Sequence, residues 1–183
     1  MIPVLYLLDT NILVHLVRGD GIGQHIQADY APTLLDPRPL ISIVSEGELR
    51  SLTYQFHWGK ANLNNYRVKF SAILISKRPQ IQCGNFCALP KQKIEQSLFY
   101  LSYFKRASID QPEIYEAYAA IDAYSISVGR SMGKNDLWIA ATAHVVDATI
   151  LTTDMDFDHL ASEFLKCQRI DPTQQVGWQY PPP

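Results

Sequence analysis

Apolar residues in this chain occur in short continuous runs that alternate with longer segments of helical spacing. Three runs have the length expected of strands that are buried on both faces of a sheet: Val4–Leu8, Leu40–Val44 and Ala148–Leu151. Three segments repeat their apolar residues at helical spacing and predict helices: Ile12 to about Gly19, Tyr115–Val128 and Leu137–Val146. This alternation predicts a three-layer α/β/α fold with a mainly parallel central sheet.

Polar residues after the predicted strands indicate where the helices begin. Asp9 and Asn11 offer N-cap side chains to the first helix. Ser45 is followed three residues later by Glu48, which is the spacing of a capping box, so we expect the next helix to begin at Ser45. Asp136 stands just ahead of a strongly apolar helix, where a negative charge favours the helix N-terminus.

Length and composition indicate one domain. The chain has 183 residues, of which 47% are hydrophobic and 19% charged, enough apolar material for one ordinary core. We assign residues 1–175 to this domain and residues 176–183, which end in consecutive prolines, to an extended tail. The segment from about residue 76 to 108 is interpreted as a helical insertion. Four apolar residues share one helical face within it: Ile94, Leu98, Leu101 and Phe104.

Charge and cysteine content describe the setting of the protein more than its function. The net charge is −2 and the sequence pI is about 6.2, so any nucleic-acid site must be local. Three cysteines without a secretory signal predict a cytoplasmic protein without disulfides. Cys83 and Cys87 have no second Cys/His pair nearby, which favours buried thiols over zinc. The apolar run Ile2–Leu8 is too short to span a bilayer, so no membrane association is expected.

Four carboxylates follow predicted strands or lie close to their carboxyl ends. Asp9 and Asp154 come directly after strands, and Glu48 and Asp136 lie in the first turns of predicted helices. Because parallel strands end at the same edge of a sheet, we expect these four side chains to converge. Their oxygens suit Mg²⁺ or Mn²⁺, and a cation would relieve their mutual repulsion. Such a centre can hydrolyse a nucleic-acid phosphodiester without a serine or cysteine nucleophile.

Four motifs contain these residues. In chain order they are Leu8-Asp9-Thr10-Asn11-Ile12-Leu13, Ile43-Val44-Ser45 with Glu48-Leu49, Asn135-Asp136-Leu137-Trp138-Ile139-Ala140-Ala141, and Leu151-Thr152-Thr153-Asp154 with Phe157. In this order they resemble the motifs of the PIN-domain family. The third and fourth together closely resemble those of VapC-type toxins.

The resemblance implies a PIN-like domain with Mg²⁺-dependent endoribonuclease activity. Four residues would occupy its catalytic acidic positions: Asp9, Glu48, Asp136 and Asp154. Mg²⁺ or Mn²⁺ would bind the three aspartates of this set. Three further residues would support them: Asn11, Asp156 and Thr152, the last through a water bound to the metal. The resemblance also implies an RNA substrate, a homodimer and a small antitoxin protein as partner.

Plainer explanations stand beside several of these assignments. Asp9 has the position of an ordinary N-cap residue. Glu46 competes with Glu48 for the role of metal ligand. Asp156 is the reserve for Asp154, because the acidic run that contains both has the composition of a solvated turn.

Basic residues and alternative functions complete the set of hypotheses. Arg130 and Lys134 lie close to the third motif and are our candidates for binding RNA phosphate, whereas the basic stretch of residues 60–78 is interpreted as a solvated helical face. A haloacid-dehalogenase-type phosphatase is disfavoured because it needs an aspartate where this chain has Asn11. A PIN nuclease of RNA processing without an antitoxin stays open, as does a PIN-like module that binds RNA or protein without cutting.

Overall fold

Short strands alternate with helices along the chain. The computed structural model describes residues 4–30, 37–55, 101 and 103–173. Within these residues, five strands form one sheet: β1 (Tyr6–Leu8), β2 (Leu40–Ser42), β3 (Lys105–Ala107), β4 (Thr149–Thr152) and β5 (Lys166–Arg169). Every neighbouring pair is parallel, and the order across the sheet is β3-β2-β1-β4-β5. The predicted α/β fold with a parallel sheet is confirmed.

The described residues also form five α-helices and one short 3₁₀-helix. The α-helices are α1 (Thr10–Arg18), α2 (Gly21–Tyr30), α3 (Ile43–Gln55), α4 (Pro112–Ser127) and α5 (Lys134–Val145), and the 3₁₀-helix is Asp158–Leu160. Helix α1 ends at Gly19, whose left-handed φ of 61° lets its N–H donate to the carbonyl oxygen of His15. Within these residues, no helix has both the length and the apolar character needed to cross a membrane.

Alternate residues of the central strands face two separate hydrophobic cores. Leu7 and Ile150 belong to the core that α4 and α5 cover. Leu8 and Leu151 belong to the core on the other face, which α1, α2 and α3 complete. The sheet is therefore the middle layer of three.

The start of α3 differs from the prediction. Strand β2 ends at Ser42 and the helix begins at Ile43, so Ser45 lies inside the helix and the capping-box interpretation is wrong. Ser42 provides the polar contact at this helix start, because its Oγ accepts a hydrogen bond from the backbone N of Val44 at 3.2 Å. Ser45 is fully buried, and its Oγ has no hydrogen-bond partner among the described residues.

The C-terminal end of the segment interpreted as an insertion belongs to the sheet. Lys105–Ala107 form the edge strand β3, which pairs with β2. Residues 56–100, which hold most of the predicted insertion, lie outside the described residues, as does the tail 176–183. The helical character of the insertion stays a prediction.

The strand order changes direction between β1 and β4. The chain moves outward from β1 to β2 and β3 on one side, and then returns to β4 and β5 on the other side. Open parallel sheets bind their ligands at the carboxyl ends of the strands beside such a switch point. Asp9 directly follows β1, and Asp154 lies two residues beyond β4.

Candidate active site at the carboxyl edge of the sheet

Backbone and side-chain hydrogen bonds fix Asp9 at the end of β1. Its backbone N donates to the carbonyl oxygen of Leu151 at 3.0 Å, which joins it to β4. Its Oδ1 accepts from the backbone N of Thr10 at 2.6 Å, the N-cap contact of α1. Its Oδ2 accepts from Oγ1 of Thr152 at 2.7 Å. Asp9 is 4% exposed. One oxygen of its carboxylate caps α1 and the other bonds to β4, so its role is not limited to capping.

Thr152 connects the end of β4 to the first turn of α1. Its Oγ1 donates to Asp9 and accepts from Nδ2 of Asn11 at 3.1 Å and from the backbone N of Asp154 at 2.9 Å. The Oδ1 of Asn11 accepts in turn from the backbone N of Thr153 at 3.2 Å. These bonds hold the turn that follows β4 against α1 and bring Asp154 close to Asp9.

Glu48 reaches the same place from the second turn of α3. Its Oε2 accepts a hydrogen bond from Oγ1 of Thr10 at 2.5 Å, and its Oε1 accepts one from Nδ2 of Asn135 at 2.6 Å. Thr10 is the first residue of α1 and Asn135 is the second residue of α5. One carboxylate therefore joins three helices.

Glu46, the competing candidate on α3, binds two arginines instead. Its Oε1 accepts from Nε of Arg50 at 3.0 Å, and its Oε2 accepts from Nε of Arg106 at 2.5 Å. Burial acts to raise the pKa of Glu46, but the hydrogen bonds and charges of the two guanidinium groups outweigh it and hold the pKa below its ordinary value. Of these two glutamates, Glu48 is the one bonded to Thr10, next to Asp9.

Asp136 lies in the first turn of α5, which begins after Gly133. A Cβ atom added at Gly133 would lie 2.6 Å from Oδ2 of Asp136, far inside van der Waals contact. The Asp136 carboxylate therefore occupies space that is open only because residue 133 is glycine.

Burial is the main reason why the pKa of Asp9 rises from 3.8 to about 6. The hydrogen bonds from Thr152 and from the backbone of Thr10 act in the opposite direction. The negative charges of Asp136 and Asp154 raise the pKa further, which places both carboxylates within electrostatic range of Asp9.

The pKa of Asp136 also rises to about 6. Burial is again the largest cause, followed by the charges of Asp156, Glu48 and Asp154. Asp154 and Asp156 are themselves exposed. The structure thus brings the four predicted acidic residues and the reserve, Asp156, to one edge of the sheet.

This group of carboxylates matches a hard divalent cation in charge and donor type. Mg²⁺ and Mn²⁺ prefer oxygen ligands, and a cation compensates for the repulsion that raises the two pKa values. In the part of the chain that the structure describes, no three Asp, Glu, His or Cys side chains are already arranged as a metal site. Several of the oxygens accept hydrogen bonds from hydroxyl, amide and backbone donors instead.

The two predicted phosphate-binding residues have different surroundings. The Nζ of Lys134 lies 3.1 Å from Oδ2 of Asp122 and 5.8 Å from the centroid of the Tyr118 ring, so its ammonium group faces α4. Arg130 is exposed beyond the end of α4. The basic stretch of residues 60–78 lies outside the described residues.

Thr10, Gly133 and Asn135 are parts of this arrangement that the sequence reasoning did not assign. Thr10 follows Asp9 directly, and the other two flank Lys134 just ahead of Asp136. The sequence feature that could have identified them is a small, hydroxyl or amide residue next to an acidic residue at the start of a helix. Its ordinary use in capping conceals it.

Comparisons with known proteins identify the family and agree with the fold. Residues 6–163 match the PIN domain family. A chain of the VapBC2 complex from Rickettsia felis, solved with a promoter DNA fragment, is similar over 92% of this chain and 100% of its own, with 18% identity and a TM-score of 0.61. A chain of VapBC-5 from Mycobacterium tuberculosis covers the same shares, with 20% identity and a TM-score of 0.57. For FitAcB from Neisseria gonorrhoeae the shares are 89% and 96%, with 19% identity and a TM-score of 0.52. No curated protein matches the sequence.

Proposed function

Because the chain belongs to the PIN-domain family, we propose that it is a Mg²⁺- or Mn²⁺-dependent endoribonuclease and the toxin of a VapBC-type toxin–antitoxin pair. PIN domains are generally nucleases. One observation carries the proposal for this chain: acidic residues from four separate segments meet beside the switch point of the sheet. They are Asp9, Glu48, Asp136 and Asp154.

In this proposal Asp9, Asp136 and Asp154 hold the divalent cation. When bound, such a cation polarises a phosphoryl oxygen and generates a strong nucleophile from water near neutral pH. Thr152 fixes the carboxylate of Asp9 and the backbone of Asp154, so two of the three residues are held in place before RNA arrives. Glu48 lies beside Asp136 and accepts hydrogen bonds from Thr10 and Asn135 at the edge of the same group.

RNA would approach from the exposed side of this edge. Asp154 and Asp156 are exposed, whereas Asp9 is buried beneath them in the sheet edge. Arg130 and Lys134 are exposed cations in the segment that leads to Asp136, and we assign them phosphate contacts outside the scissile bond. Cleavage would leave a 5′-phosphate, the product of water attack that expels the 3′-oxygen.

The proposal of a toxin rests on the names of the structurally similar proteins. The solved structures from Rickettsia felis and Mycobacterium tuberculosis are named VapBC2 and VapBC-5, and the latter is described as a member of the VapBC family of toxin–antitoxin systems. We propose a small antitoxin protein as partner, a homodimer as the assembly and the cytoplasm as the location. A PIN nuclease of RNA processing would share the site and differ in having no antitoxin.

A cleavage assay on purified protein tests the nuclease. Single-stranded RNA should be cut with Mg²⁺ or Mn²⁺, and cutting should stop with EDTA. The Asp9→Asn and Asp136→Asn variants should fold and lose cleavage. Asp29→Asn, an exposed α2 substitution whose side chain lies beside His25, is the matched control and should cut like the parent. If the parent and all three variants cut RNA at equal rates, the assignment of Asp9 and Asp136 to the active site is wrong.

Growth of the expressing cells tests the toxin. The parent chain should arrest growth, and Asp9→Asn should not. If the parent chain cuts RNA in vitro but cells that express it grow normally, the protein is an RNA-processing nuclease and not a toxin.

A further inference from the structure

Asn135 is an exposed residue whose amide forms a bond across the site. Its Nδ2 donates to Oε1 of Glu48 at 2.6 Å, although the two residues are 87 positions apart in the chain. Thr10 donates from its hydroxyl to the other oxygen of the same carboxylate at 2.5 Å. Glu48 is thus held from two sides, by the helix that follows Asp9 and by the helix that carries Asp136.

The amide of Asn135 does not serve as a helix cap. Gly133 is the N-cap of α5, and Asn135 is already the second residue of the helix. Asparagine has a lower helix propensity than alanine or the long straight-chain residues, because its side chain competes for hydrogen bonds. Here its side chain forms the hydrogen bond to Glu48.

Glu48 needs such a restraint because of where it lies. Its side chain has three rotatable bonds, and the negative charge of Asp136 lies within electrostatic range and repels it from the acidic group. Charge-assisted hydrogen bonds from two donors oppose both the loss of entropy and the repulsion. Donors on two different helices also fix the direction of the carboxylate, which one donor alone would not do.

We propose that Asn135 is a positioning residue for Glu48. Its amide, together with the hydroxyl of Thr10, fixes the Glu48 carboxylate in the orientation that RNA cleavage requires. The inference rests on the nuclease proposed above and adds a residue that acts only through Glu48.

A double-mutant cycle in EDTA tests the bond without any RNA. Thermal unfolding is measured for the parent, Asn135→Ala, Glu48→Ala and the double variant. We expect Asn135→Ala to lower the unfolding temperature by about 2–4 °C in the parent and by much less in the Glu48→Ala background. Equal shifts in the two backgrounds would overturn the proposal.

Steady-state cleavage tests the consequence of the bond. Asn135→Ala should lower kcat by about 10- to 100-fold with little change in KM for RNA, as expected when a residue acts through another. Asn135→Asp keeps the shape but loses the donor and repels Glu48, so its kcat should fall at least as far. Thr10→Ser should retain activity that Thr10→Val loses.

Gln111 provides the matched control for Asn135, because it is also a carboxamide residue at the start of a helix. Gln111→Ala removes an exposed carboxamide at the start of α4 that makes no cap bond, and it should change neither kcat nor KM. A rise in KM alone for Asn135→Ala would mean that Asn135 contacts RNA directly, which contradicts the positioning role. If the parent does not cleave RNA, the nuclease proposal fails, and the unfolding cycle still decides whether Asn135 holds Glu48.

Discussion

At Gly133 the chain has no side chain, and Oδ2 of Asp136 lies only 2.6 Å from the position that a Cβ atom would take. Gly133→Ala should therefore push this carboxylate aside by several tenths of an ångström. Displacements of this size at a reacting centre reduce rates by roughly 10- to 100-fold. We expect RNA cleavage to fall by at least tenfold, while the free energy of unfolding changes by less than about 1 kcal/mol.

Gly21→Ala is the comparison for this prediction. A Cβ atom at Gly21, the first residue of α2, would have no neighbour within 4 Å. Cleavage by this variant should match the parent. Full activity in Gly133→Ala as well would show that the position of Asp136 is not critical.

Two fully buried serines should respond in opposite ways when alanine replaces them: one variant should lose stability and the other should not. Ser125 Oγ lies 2.9 Å from Nε2 of His159, whereas Ser45 Oγ has no partner among the described residues. Removing a bonded hydroxyl loses about 1 kcal/mol, and removing an unbonded buried one is neutral or stabilising by a similar amount. Urea unfolding should show Ser125→Ala less stable than the parent and Ser45→Ala at least as stable. A large loss in Ser45→Ala would reveal an unrecognised contact.

Helix α3 separates a structural acidic residue from the proposed catalytic one over two positions. Glu46 ties the helix to the edge strand β3 through Arg106, and Glu48 faces the acidic group. Glu46→Gln should lower the free energy of unfolding by up to about 1 kcal/mol, since both arginines are partly exposed, and should leave cleavage intact. Glu48→Gln should reduce RNA cleavage and leave the free energy of unfolding nearly unchanged. Chemical denaturation and the RNA assay on both variants check this, and a loss of cleavage in Glu46→Gln alone would contradict it.

The elements that the sequence predicts are those that bury a regular apolar pattern. Strands β1, β2 and β4 and helices α1, α4 and α5 fall close to their predicted positions. The edge strands β3 and β5 were missed because their residues are mostly exposed or partly exposed and carry no such pattern. Helix α2 was missed because of its glycines. Gly23 lies in it because a Cβ atom there would meet the carbonyl oxygen of His15 on α1 at 2.1 Å.

Stability of the whole molecule should depend on pH through the acidic group. Asp9 and Asp136 have pKa values of about 6 in the folded protein and close to 3.8 in the unfolded chain. The folded protein therefore retains protons that the unfolded chain has released, and the free energy of unfolding falls as pH rises from about 4 to 6. For Asp9 alone this corresponds to at most roughly 3 kcal/mol.

Melting curves in EDTA test this dependence. The parent should melt at a higher temperature at pH 5 than at pH 7.5, and Asp9→Asn should lose much of the difference. At pH 7.5, Mg²⁺ should raise the unfolding temperature of the parent and have little effect on Asp9→Asn. A parent protein whose melting temperature is the same at both pH values would contradict the prediction.

At the scale of the molecule, parallel strands explain why the convergence of the acidic residues could be anticipated. Asp9 and Asp154 follow strands, so a parallel sheet places them at one edge whatever the loops do. The polar residues that orient the acidic side chains were harder to recognise. Asn135 and Thr10 bond to Glu48 through contacts between helices, and no local spacing records which helix starts face each other.

The bond between Thr152 and Asp9 joins residues 143 positions apart. During synthesis the first strand emerges long before its neighbour β4, so Asp9 lacks its partner Thr152 while most of the polypeptide is still being made. The proposed nuclease should therefore be inactive until translation has passed Asp154, the last of the four acidic residues. Fragments that end before Asp154 should be unable to cleave RNA under this proposal.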